Sequence, residues 1–176
     1  GEPGDDLWIS GQPGLAALGL AHLQGRVRLA DAFRATAALY RPMPRVEAGL
    51  ALRGAVHAMI DVSDGLVGDL GHLCERSGLG AVLDASALPM TALRETGVDE
   101  AFARQCLLAG GDDYELLFTA SPAARGEIEA IARRLGLPLT RIGHLAANAG
   151  PVLLREEGKG LHAAIPSGYD HFATDG

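Results

Sequence analysis

The sequence predicts an α/β fold in its layered form: a mixed sheet packed against helices, in one domain spanning residues 1–176. Short apolar runs bounded by turn residues alternate with longer stretches whose leucines and alanines recur at helical spacing. The last two strand-like runs flank "EEGKG" and read as a hairpin, which adds antiparallel pairing to the crossovers. Hydrophobic residues make up 48% of the 176 and charged ones 21%, enough for a sizeable core in an ordinary globular chain.

Each element has its own signal. Residues 5–10, "DDLWIS", alternate enough for a short strand. "GQPG" is a turn with Pro13 suited to a first helical position, and Leu15, Leu18, Leu20 and Leu23 carry a helix that Gly25 closes. Asp31 caps a second helix through Tyr40, which "RPMP" ends, and a short helix covers 44–52. Residues 57–62 are apolar nearly throughout and read as a strand buried on both faces. Leu66, Leu70, Leu73 and Cys74 place a helix up to Ser77 and Gly78, and "AVLD" at 81–84 is a strand. One or two helices, broken near "TGVD", fill 92–109. A strand at 114–120, a helix at 122–135 ended by Gly136, and a strand at 140–145 follow. The hairpin takes 152–155 and 161–165, and "PSGYDHF" forms a tail.

The net charge is −7, and no run of five or more Lys and Arg occurs, which argues against binding nucleic acid through its backbone. Aromatics are only 5%, too few for a base-stacking surface. No apolar run approaches the roughly 18–20 residues a bilayer crossing takes, and the acidic "GEPGDDLW" does not resemble a signal peptide. No membrane association is expected. Cys74 and Cys106 lie among apolar neighbours in helical patterns, so buried free thiols in a reducing cytoplasm are expected. Neither has a zinc-type spacing. An acidic chain can still bind nucleotides, because a divalent cation can lie between carboxylate and phosphate.

Three stretches carry candidate chemistry. "IDVSDGL" ends a strand and opens a helix, where α/β sheets present ligand-binding groups. The amides of Ser63, Asp64 and Gly65 would sit at the positive end of that helix, yet Asp61 and Asp64 would repel a bare phosphate. A Mg²⁺ ion held by the two carboxylates resolves the conflict, with Ser63 bonding a phosphate or ribose oxygen. Plain capping by Ser63 or Asp64 explains the same residues without a ligand and, for this motif alone, comes first. In "GGDDYELLF", Asp112 would face the same crevice as Asp61 if their strands are neighbours; a solvated turn explains it without a ligand and, for this motif alone, comes first. In "SGYDHF", Tyr169 either packs on the core or stacks on a planar ring. No G-x-S-x-G is present, and Ser63 has no identifiable base partner, so serine-hydrolase chemistry is unsupported.

Four stretches in order, "GDDLWISGQPGLAALGLAHLQG", "IDVSDGL", "GGDDYELLF" and "SGYDHF", resemble the C-terminal half of the thiamine-monophosphate kinase family. That family belongs to the aminoimidazole ribonucleotide synthetase-like superfamily. The resemblance implies that family's C-terminal-domain fold and Mg²⁺-dependent transfer of the ATP γ-phosphoryl to thiamine monophosphate, giving thiamine diphosphate. It implies Asp61 and Asp64 as Mg²⁺ ligands, Ser63 as an ATP contact, and Asp112 and Tyr169 as substrate contacts. Asp112 stands where the family usually has glutamate, one methylene longer. No side-chain nucleophile is implied. The family's N-terminal ATP- and metal-binding half, with its usual homodimer interface, has no counterpart in this chain, so the 176 residues alone are expected to turn over poorly or not at all. Two alternatives remain: another ATP-dependent member of the superfamily, of the aminoimidazole ribonucleotide synthetase type, or a noncatalytic domain whose caps and turns mimic a site.

Overall fold

A computed structural model describes residues 1–164. Among the described residues seven strands are present: β1 (Asp6–Ser10), β2 (Ala58–Val62), β3 (Ala81–Asp84), β4 (Glu115–Ala120), β5 (Leu139–Leu145), β6 (Val152–Glu156) and β7 (Gly160–Ala163). They form one sheet in the order β2-β4-β1-β5-β3-β6-β7. Every pairing is antiparallel except β3 with β6, so the sheet is mixed as expected. The helices are α1 (Leu15–Leu23), α2 (Phe33–Tyr40), α3 (Val46–Leu52), α4 (Leu66–Ser77), α5 (Thr91–Arg94), α6 (Glu100–Ala109) and α7 (Arg125–Leu135).

Alternation along β1 divides the core. Leu7 and Ile9 join Leu117, Ile142, Leu18, Leu70 and Leu107 in the larger cluster, which α1, α4 and α6 cover. Trp8 faces the other way, stacks on Phe118 with ring centroids 6.2 Å apart, and packs with Leu52, Ile128 and Ile131 of α3 and α7. The sheet is therefore sandwiched between two helical layers. Asp31 accepts a hydrogen bond from the Phe33 amide at 2.9 Å, the cap expected for α2. The 92–109 stretch divides into α5 and α6, and Asp99 opens the latter by accepting from Ala101 and Phe102.

One element differs from expectation. β2 is an edge strand, paired only with β4, and its residues are mostly half-buried with Asp61 exposed. Its apolar side chains do cover both faces, with Ile60 toward the α4 side and Met59 toward the other layer. Apolar composition reports burial of faces, whereas an edge is exposed through its backbone. Phe33, Tyr40, Met43, Val46 and Leu50 stand exposed on α2, α3 and their connection. Among the described residues no helix is long and apolar enough to cross a membrane.

Candidate functional site

Val62, the last residue of β2, lies opposite Glu115, the first of β4. The loop that follows β2 and the loop that precedes β4 therefore meet at one end of the sheet. Main-chain bonds join them: the Asp112 amide donates to the Ser63 carbonyl at 2.9 Å, and the Tyr114 amide to the Val62 carbonyl at 2.8 Å. Asp112 (φ 65°) and Tyr114 (φ 51°) are both left-handed, a conformation that costs a bulky residue more than an aspartate. At Gly111 a Cβ would come 2.4 Å from the Ser63 carbonyl oxygen, so only glycine permits this approach.

Asp61 and Asp64 are exposed and Ser63 is half-buried. None of these three side chains hydrogen-bonds another described residue. Gly65 is the N-cap of α4, with no side-chain cap, so neither Ser63 nor Asp64 plays the capping role that competed with a ligand reading. The amides of Ser63 and Asp64, which the sequence offered to a phosphate, are occupied. Both donate to one carboxylate oxygen of Asp69, at 2.9 and 3.0 Å. Asp69 is buried beside Leu66, Leu70 and Leu73, so a carboxylate falling on the apolar stripe of a helix was the signal that could have found it.

The second loop is anchored by two further acids absent from the sequence-based candidates. Asp113 accepts from the Gly14 amide at 2.7 Å and so caps α1 from a distant part of the chain. Burial pushes its pKa up to about 7, the amides of Gly14 and Ala16 oppose the rise, and Glu115 and Asp112 add to it. Folded Asp113 thus holds its proton more tightly than the unfolded chain does. Its stabilising contribution is complete below about pH 4, falls as pH rises, and is gone above about pH 7. Thermal denaturation at pH 5 and pH 8 checks this: Asp113→Asn is expected to remove about 2 kcal/mol of the fall in stability seen in the parent. Equal falls in both proteins would count against it. Glu115, 5% exposed, receives a bidentate pair from Arg45 at 2.7 and 2.7 Å and the Ser10 hydroxyl.

Asp61, Asp64 and Asp112 do not converge into a three-donor group; among the described residues the only such cluster is Glu2, Asp5 and His57, at the opposite end of β2. Two exposed carboxylates suit Mg²⁺, which takes hard oxygen donors and commonly fills its remaining positions with phosphate and water. The donor set therefore fits as part of a shared site, not as a closed cage. A cavity of about 160 Å³ adjoins Asp112, lined by Phe102, Cys106, Gly110 and Gly111 among others. Cys74 and Cys106 are free and buried, and burial pushes both thiols up to about 11, which leaves them unreactive. Tyr169 lies outside the described residues.

Comparison with known proteins adds four findings. Residues 2–155 match the family model described as AIR synthase related protein, C-terminal domain. Over 176 residues the chain is 40% identical to the thiamine-monophosphate kinase of Salmonella typhimurium, covering 98% of this chain and 54% of that protein. The crystal structure of thiamine-monophosphate kinase from Stenotrophomonas maltophilia K279a superposes with a TM-score of 0.81 at 45% identity, over 87% of this chain and 50% of that one. The structure of AaThiL complexed with AMPPCP and TMP matches with a TM-score of 0.69 at 26% identity, over 92% of this chain and 52% of the other. The chain spans about half the length of these relatives.

Proposed function

The chain belongs to the family of AIR synthase related protein C-terminal domains, and on that premise we propose that it is the C-terminal half of a thiamine-monophosphate kinase. In this reading Asp61 and Asp64 contribute carboxylates to Mg²⁺, Ser63 contacts ATP, and Asp112 and Tyr169 contact thiamine monophosphate. An N-terminal half supplies the remaining ATP and metal contacts, and two completed chains pair as a homodimer in the cytoplasm. The observation that carries it is the division of labour in the 61–65 loop. The Ser63 and Asp64 amides are bound within the fold, while the side chains of Asp61, Ser63 and Asp64 bond no described residue. Caps and turns spend such side chains on the backbone; a binding loop keeps them for a ligand.

The chemistry is in-line phosphoryl transfer. A phosphate oxygen of thiamine monophosphate bonds to the γ-phosphorus of ATP as the bond to the departing ADP oxygen breaks. The bound cation would supply charge neutralisation on the phosphoryl oxygens. This chain's part is to orient donor and acceptor on two loops clipped together by main-chain bonds, and no side-chain nucleophile is needed.

The experiment joins this chain to its N-terminal half and measures thiamine diphosphate formation and Mg²⁺-dependent ATP binding. Asp61→Ala is expected to lower ATP affinity at fixed Mg²⁺ by about tenfold, the size of losing one charge-assisted contact, with folding little changed. The 176 residues alone are expected to give no appreciable turnover. A noncatalytic domain predicts the reverse pattern, with nucleotide affinity unchanged by Asp61→Ala; a rate for the isolated chain matching the joined protein would equally overturn the half-site reading.

A further inference from the structure

In helices that hold phosphate, the anion sits against the free amides of the N-terminus. In the loop that leads into α4, two such amides are filled from within. Asp69, a regular helical residue whose own amide bonds the Gly65 carbonyl at 3.0 Å, reaches back and takes the Ser63 and Asp64 amides on one carboxylate oxygen. It is 3% exposed, between leucines. A buried carboxylate is costly unless hydrogen bonds satisfy it, and here the two amides do so.

Resting on the half-site reading above, we propose that Asp69 is a positioning and specificity-determining residue. It occupies the Ser63 and Asp64 amides at the entrance to α4, so these two amides do not hold a bare phosphate and the loop meets phosphoryl groups through a cation on Asp61 and Asp64. A phosphate approaching Ser63 and Asp64 directly would find their amides taken and a buried negative charge behind them. A phosphate carrying a divalent cation instead meets two exposed carboxylates. The same bonds fix the Ser63 carbonyl as acceptor for the Asp112 amide, so Asp69 orders both loops.

The test uses the ¹⁵N-labelled chain and three NMR readouts: exchange of the Ser63 and Asp64 amides, their shifts on adding inorganic phosphate in the presence of a chelator, and line broadening by Mn²⁺. In the parent chain both amides are expected to exchange slowly, metal-free phosphate to leave them unshifted, and Mn²⁺ to broaden residues 61–65. Asp69→Ala is expected to speed their exchange by about tenfold or more, as loss of a charged acceptor implies, while Asp69→Asn, which keeps an acceptor, stays within about threefold. Unchanged exchange in Asp69→Ala, or phosphate shifting these amides in the parent, overturns the proposal; the second readout stands even if a variant fails to fold. If Mn²⁺ leaves residues 61–65 sharp while exchange behaves as expected, the cation arm of the proposal falls and Asp69 stands as the loop's anchor, the half-site reading being decided by ATP binding in the joined protein.

Discussion

Arg45→Ala is expected to destabilise the fold by about 3 kcal/mol, the lower end of the range for breaking a buried ion pair because the arginine is partly exposed. Its guanidinium gives two bonds of 2.7 Å to Glu115, and the same carboxylate accepts the Ser10 hydroxyl and, at 3.4 Å, the Gln12 amide. Removing the arginine leaves Glu115 buried without its counter-charge at the first residue of β4. Strand pairing with Val62 and the turn into α1 both depend on that position. Arg45→Lys should fall between, since an ammonium cannot reproduce the bidentate fork. Urea denaturation measures the loss, and a double-mutant cycle with Glu115→Gln separates the pair from the lone charge. A loss below about 1 kcal/mol, the value of an exposed pair, would contradict the assignment.

Gly111→Ala is expected to cost about 2–4 kcal/mol, combining overpacking with a lost hydrogen bond. The added methyl would sit 2.4 Å from the Ser63 carbonyl oxygen, a backbone atom that no rotamer change can move aside. Relief requires the 110–114 loop to withdraw from the 61–65 loop, which breaks the Asp112–Ser63 bond and separates the two sets of candidate ligand-binding side chains. Asp112 amide exchange should therefore accelerate alongside the fall in denaturation midpoint. Gly126→Ala provides the contrast: a Cβ there meets nothing within 4 Å, in a helical position where alanine outperforms glycine by up to about 1 kcal/mol. That variant should gain stability. If the two substitutions behaved alike, close approach would not be what glycine provides at 111.

The elements were legible because each carries a local signal: the Asp31 cap, the Gly136 stop, the leucine spacing of α4. The meeting of the two loops was legible only as a condition, that their strands be neighbours, and β2 beside β4 meets it. What escaped were the residues whose roles depend on distant partners. Asp113 caps a helix that begins about a hundred positions earlier in the chain, and Glu115 is matched with Arg45 across |i−j| = 70. No window of sequence holds both ends of such bonds. Asp69 was within reach, since its partners lie five and six residues away and it falls on the apolar stripe of its helix, where a carboxylate signals a buried role.

The position of Asp61 has a second consequence. β2 offers one open row of backbone donors and acceptors, and an uninterrupted apolar strand there would invite another chain to add itself and nucleate fibrous assembly. A carboxylate set next to the end of "AMIDV" makes such docking electrostatically unfavourable, since a copy stacking on this rim would bring like charges together. The same side chain thus guards the protein against polymerising, and its replacement by a neutral residue should raise the propensity to precipitate.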